Sequence, residues 1–240
     1  MKTLKFSLTL ILAMSFKLAT AQAQGLPYEC SAIQDSELYR NRSAKMVQFQ
    51  NPQNITLAEA KKYMIQYFNA WNSGALVSLK AKLTQGQAKV GAQSELQESI
   101  KRTLSFYSDD LVVERINTST ILNAAPDFAA HVTLVGDDAR NKFLVPFITR
   151  DGGSDHRMTY ICLDKSQSLI TAHVRYMVPK KTLGRGFSNL VNPPENEIAI
   201  DAYAVANYLI DRDGKIKGLA VAFDVAKFVM EMGNATSSLP

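Results

Sequence analysis

Histidine, cysteine and tryptophan are scarce in this chain: three His, two Cys and one Trp among 240 residues. So few imidazoles and thiols exclude a rich metal cluster. His131, His156 and His173 share no ligand spacing, so no metal is expected. No Gly-x-Gly-x-x-Gly or phosphate-binding loop occurs, which argues against a nucleotide, and cofactors of any kind are expected to be none. A hydrolase-type serine elbow is missing too. Beyond the N-terminus no apolar run approaches the roughly 20 residues of a bilayer span, so stable membrane insertion is not expected. No Lys/Arg block is interleaved with aromatics. Lys180, Lys181 and Arg185 form the densest basic patch and read as a solvated loop, so no nucleic acid is expected as a partner.

What remains is ordinary globular material, 46% hydrophobic and 20% charged, with 12 Gly and 8 Pro. That excludes disordered, collagen-like and disulfide-dense classes. The length suits one large domain.

The first 23 residues, MKTLKFSLTLILAMSFKLATAQA, form a secretory signal pattern. Lys2 and Lys5 supply the charged start, Leu8 to Phe16 the apolar middle, and Ala19, Ala21 and Ala23 the small residues before cleavage near Gln22 or Gln24. A buried N-terminal helix is the alternative. Export, periplasmic or secreted, is the expectation. Removing Lys2, Lys5 and Lys17 with this segment lowers the formal charge from +5 to +2, so the pI of about 9.1 overstates how basic the exported chain is.

Cysteine usage fits that compartment. An oxidising environment permits a Cys30–Cys162 disulfide tying the N-terminal arm to a strand. The other reading is a free buried Cys162 beside an exposed Cys30.

Residues 24–54 read as an irregular arm with a short helix around 34–39. Thr56 and Glu59 then form a capping box. Leu57, Ala60, Met64, Tyr67, Phe68 and Trp71 recur at helical spacing. Gly74 reads as the C-cap, and a short second helix carries Leu76, Leu79 and Leu83. A third opens at Ser94–Gln97 and places Leu96, Ile100, Leu104 and Tyr107 on one side. From Asp110 the period changes to two. Strands are expected over 111–116, 129–135, 142–149, 157–163, 169–178, 198–210 and 216–223, with an Asp213–Gly214 turn joining the last two. A final amphipathic helix holds Val225, Phe228, Val229 and Met232. Helices first and antiparallel strands after them indicate an α+β fold.

YFNAWNSGALVSL, residues 67–79, resembles the first helix–turn–helix of the SnoaL-like group in the nuclear transport factor 2-like (NTF2-like) superfamily. NYLIDRDGKIKGLAVAFDVAKFVMEMG, residues 207–233, is similar to that family's strand, Asp-Gly-Lys-Ile, strand, Phe-Asp, helix ending. Ser168 to Tyr176 and the Thr182 to Pro194 loop resemble its central strand and connection. The resemblance spans about 55–120 and 168–233. It implies a domain over 55–233 with a strand insertion at about 121–167 and a tail at 234–240. Its fold would be a curved antiparallel sheet wrapped around the N-terminal helices, an NTF2-like cone with an apolar pocket at its mouth. The family includes polyketide cyclases, ketosteroid isomerases, dehydratases and non-catalytic binding domains, so fold alone leaves activity open.

Candidate site residues carry paired readings. Asp224, where the last strand meets the final helix, is either a pocket general base or that helix's N-cap. Asp201 lies in an apolar strand beside Tyr203, lining the pocket or facing solvent. His173 and Arg175 share one face of the central strand, as an acid–base or ligand-orienting pair or as a solvent-facing one. Tyr67 and Trp71 are core or ligand platform. Tyr160 and Tyr203 are ligand donors or rim phenols.

Two departures from active relatives bear on catalysis. The last strand reads Lys217, Gly218, Leu219, Ala220 where acids, His or Trp are common. The loop LTQGQAKVG holds no carboxylate. The expected function is an exported pocket domain that binds a small apolar molecule or a partner without catalysis, as a homodimer through its sheet. The alternative is a cofactor-independent isomerase, cyclase or lyase acting on a ketone or polyketide-like substrate, with Asp224 or Asp201 as base and His173 or a Tyr as its partner.

Overall fold

The Thr56 hydroxyl accepts the Glu59 amide at 3.2 Å, while the Glu59 carboxylate accepts the Thr56 amide at 3.0 Å and hydroxyl at 2.7 Å. This reciprocal box satisfies amides that a helix start leaves without partners. It opens α1, Leu57–Leu83. The computed structural model describes residues 28–34, 48–83, 88–118, 131–150, 155–179, 197–224 and 227. The signal segment, the body of the 34–39 helix, the 182–194 loop and the helix expected after Asp224 (save Lys227) lie outside them.

Residues 63–71 of α1 are buried without a break. A surface helix would bury one stripe; this one is enclosed, with Met64, Tyr67, Phe68 and Trp71 in the core beside Gln66 and Asn69. Each large apolar side chain buried there contributes on the order of 2–3 kcal/mol. Gly74 does not end the helix. Its backbone stays helical, at a cost of about 1 kcal/mol relative to Ala, and one 27-residue helix replaces the expected pair. The second helix, α2, runs Ala88–Leu104, starting before the Ser94–Gln97 box.

Seven strands follow the order β1-β4-β5-β6-β7-β2-β3. They are β1 Tyr28–Ala32, β2 Tyr107–Asn117, β3 His131–Val135, β4 Asp155–Asp164, β5 Leu169–Pro179, β6 Glu197–Ile210 and β7 Ile216–Phe223. The sheet is open, with β1 and β3 at its edges. It is mixed, because β2 and β7 pair in parallel while the other neighbours are antiparallel. A tight turn imposes antiparallel pairing on adjacent strands such as β6 and β7. Nothing local fixes the direction of two strands as distant in sequence as β2 and β7. The β6–β7 turn is the expected one. Asp211 Oδ1 accepts the Asp213 and Lys215 amides, each at 2.9 Å, and Gly214 supplies φ +77°.

Three further expectations change. Residues 28–32, read as part of an irregular arm, form strand β1, which pairs along its whole length with β4. Residues 142–149 form helix, not strand: α3 covers 137–150 as Asp137–Ala139, a π turn Arg140–Leu144 and Val145–Arg150. The π turn brings Ala139 and Leu144, five residues apart, to one side with Ile148, and all three are fully buried. The alternation of Phe143, Val145 and Phe147 imitates a strand, but burial at five-and-four spacing overrides it. Tyr107 is the first residue of β2, not part of α2. In the described part of the 121–167 segment lie β3, α3 and β4, with β4 between β1 and β5.

Cys30 and Cys162 stand directly opposite on β1 and β4 and are disulfide-bonded. Helices α2 and α3 and strand β4 pack on α1, so the fold is an open sheet with an enclosed helix on its inner face.

Candidate functional site

A hollow of about 50 Å³ lies between α1 and the inner faces of the central strands. Strand alternation sets its floor. On β6, Ala204, Ala206 and Tyr208 face inward, and the two alanines leave the room that larger side chains would fill. Tyr67 and Trp71 come from successive turns of α1, Tyr176 from β5, His156 from β4 and Phe143 from the π turn of α3. Three phenols, an indole and an imidazole meet here in otherwise apolar walls.

Tyr67, Tyr208 and Trp71 join a hydrogen-bonded chain through Tyr107, which lies beside the hollow. The Tyr67 and Tyr107 hydroxyls lie 2.6 Å apart, and the Trp71 indole N–H donates to the Tyr107 oxygen at 3.2 Å. Tyr67 also hydrogen-bonds Tyr208, whose ring centroid lies 5.2 Å from its own. Burial pushes the Tyr67, Tyr107 and Tyr208 phenols above their ordinary range, so they stay protonated at neutral pH.

Asn72 clamps His156. Its amide nitrogen donates to the His156 carbonyl at 3.0 Å, and its oxygen accepts the His156 amide at 2.9 Å. That fixes the oxygen as the atom 3.3 Å from Nδ1, so Nδ1 carries the proton and Nε2 the lone pair. Burial lowers the His156 pKa to about 4, leaving a neutral imidazole at pH 7. The hollow thus offers neutral donors and acceptors without net charge.

Of the residues singled out in the sequence, Tyr67 and Trp71 line the hollow. Tyr160, His173, Arg175 and Tyr203 do not. They sit on the outer face, where register places Tyr160 opposite His173 and Arg175 opposite Tyr203. His173 and Tyr203 are exposed, with Tyr160 and Arg175 half-buried. The Arg175 guanidinium lies 6.0 Å from the Tyr203 ring centre. The His173 ring packs on Tyr160, and partial desolvation lowers its pKa. Asp201 falls in β6, its side chain outside the described residues. Asp224 follows β7 and its Oδ1 accepts the Lys227 amide at 2.9 Å, the geometry of a helix cap. His156, Tyr107, Tyr176 and Tyr208 were not singled out by the sequence reading. Alternation through Ala204, Ala206 and Tyr208 marks Tyr208; nothing local marks His156 or Tyr107. Among the described residues no cluster of three or more His, Cys, Asp or Glu could hold a metal, and no helix is long and apolar enough to cross a membrane.

Fold and hollow together define an α+β protein with an open, helix-plugged sheet. No family model matches the sequence. No curated protein matches it either. Solved structures similar to it include SalBIII, an epoxide hydrolase/cyclase-like enzyme in salinomycin pyran-ring formation, at 10% identity and TM-score 0.40, over 71% of this chain and 94% of that one. A protein described as a SnoaL-like polyketide cyclase from Shewanella putrefaciens matches at 13% identity and TM-score 0.34, over 65% and 91%. An NTF2-like protein from Cytophaga hutchinsonii matches at 10% and 0.31, over 55% and 91%.

Proposed function

We propose that this chain is an exported SnoaL-like domain whose hollow binds a small apolar molecule without turning it over. The carrying observation is the lining: aromatic and aliphatic walls, phenols bonded to one another, a neutral imidazole, and no carboxylate among the described lining residues. Such a site holds an uncharged molecule, because bringing in an ion would cost several kcal/mol of desolvation with no opposite charge to meet it. Asp224 is occupied as a cap, which supports a binding role over base catalysis.

Trp71 is the only tryptophan and lines the hollow, so it reports on occupancy. Small uncharged molecules are expected to shift its indole NMR resonance saturably in the wild-type protein and not in Ala206→Leu, which fills the floor. Turnover of any bound molecule that disappears in Asp224→Asn or Asp201→Asn would replace this reading with the isomerase, cyclase or lyase alternative. Export over residues 1–23 is checked by N-terminal sequencing of protein recovered outside the cytoplasm, with a start near Gln22 or Gln24 expected.

The outer face supports pairing of two copies. Tyr203 and Val205 of β6 and Val135 of β3 are exposed apolar or aromatic side chains that register places on that one face, with Gly218, Ala220 and Ala222 of β7 and Val112, Glu114 and Ile116 of β2 between them.

A further inference from the structure

The outer face of the sheet carries a cation that the hollow does not use. Register sets Arg157 of β4, Arg175 of β5 and Tyr203 of β6 side by side in one row, with Tyr160, His173 and Val205 in the next. Side chains directly opposite on one face leave their strands about 5 Å apart, so two guanidiniums start out together. Arg157 is buried and has contacts of its own. Arg175 is half-buried, its Nε has no acceptor, and no described carboxylate pairs with it. The Tyr203 ring centre lies 6.0 Å from its guanidinium carbon. The described acids of this face are remote. Glu114 of β2 is three strands away, and Asp164, at the far end of β4, accepts the Ser166 amide and hydroxyl. Desolvation lowers the His173 pKa, so at neutral pH the charge here belongs to arginine.

A guanidinium whose donors lack acceptors is costlier than a neutral group in the same position, and a carboxylate matches its fork with charge-assisted bonds. Beside it Tyr203 and Val205 are 55% and 36% exposed, an apolar shelf on the same face. Cation and shelf together select a molecule with a negatively charged oxygen end and an apolar body. We propose that Arg175, Tyr203 and Val205 form a binding site for small apolar monocarboxylates, the carboxylate meeting the guanidinium and the body lying on the shelf. This site is separate from the hollow, which lies across the sheet and takes no charge.

The test titrates benzoate, benzamide and acetate into the full exported chain and follows the backbone amide resonances of β5 and β6 together with the Trp71 indole. Benzoate is expected to move the amides around Arg175 and Tyr203 saturably and to leave the indole still. It should bind about tenfold more tightly than benzamide, which matches its shape without the charge. Acetate lacks the body and is expected to bind more weakly than benzoate, a difference that Tyr203→Ala erases. Arg175→Gln is expected to abolish the response and Arg175→Lys to restore part of it, since Lys keeps the charge without the fork. If a variant does not fold, the wild-type ratio of benzoate to benzamide decides alone. Equal binding of those two, or amides that stay still, overturns the outer site. A face covered by a second copy and closed to benzoate overturns it as well. The hollow has its own test with uncharged molecules and does not fall with it.

Discussion

Tyr67 and Tyr107, 40 residues apart on a helix and a strand, bring their hydroxyls to 2.6 Å within the core. The contact pins α1 to β2. Because Trp71 donates to the same Tyr107 oxygen, one phenol serves two partners. The aromatic side chains here also meet edge to face, Tyr67 against Phe68, Phe106, Tyr107 and Tyr208, the arrangement their quadrupoles prefer.

Tyr107→Phe removes that shared oxygen and leaves the Trp71 indole N–H buried without this acceptor. Chemical denaturation is expected to show a loss of about 1–3 kcal/mol, with a shift of the single indole resonance. A change within measurement error would mean that the phenol contributes only its ring.

His156 makes the protein acid-sensitive. Its pKa is about 4 in the folded chain, against 6.5 ordinarily, because burial disfavours the cation. Between those values the unfolded chain binds a proton that the folded chain does not, so stability is full above about pH 6.5. It falls as pH drops toward 4, by about 3 kcal/mol in all. Urea midpoints at pH 7, 5.5 and 4 for wild type and His156→Gln should converge as pH falls. Parallel curves would show that His156 titrates normally.

The Cys30–Cys162 bridge closes a loop with a sequence separation of 132. On the chain-entropy account it is worth about 4–5 kcal/mol. Reduction, or Cys30→Ser, is expected to lower the denaturation midpoint steeply and to free β1 from β4. Equal midpoints with and without reductant would assign β1's attachment to its ladder alone.

Val205→Asp places a charge in the middle of the exposed outer face, between His173 of β5 and Ala222 of β7. If two copies pair there, sedimentation should show a dimer for wild type and a monomer for the variant, with the Trp71 resonance unchanged. A monomeric wild type ends the pairing proposal.

The strands β5, β6 and β7 were legible because one face is buried and the other is not, which writes a period of two into Ala204, Ala206 and Tyr208. The Asp213–Gly214 turn and the Thr56–Glu59 cap were legible because their chemistry lies within a few residues. Lys142 to Thr149 reads as a strand because its alternation is local, whereas Ala139, Leu144 and Ile148 are brought to one side by a π turn that no short-range pattern announces.

The sequence by itself determined the α+β class, the period of two in the main strands, the capped start of α1 and the pair of cysteines available for a bridge. Only the tertiary structure decided that β2 runs parallel to β7, that His173, Arg175 and Tyr203 lie on the far side of the sheet from the hollow, and that Tyr107 and His156 meet α1. The reason is range. Periodicity and turn chemistry act over neighbouring residues, while strand order and the meeting of hydroxyls 40 residues apart are set by how the whole sheet closes over one helix.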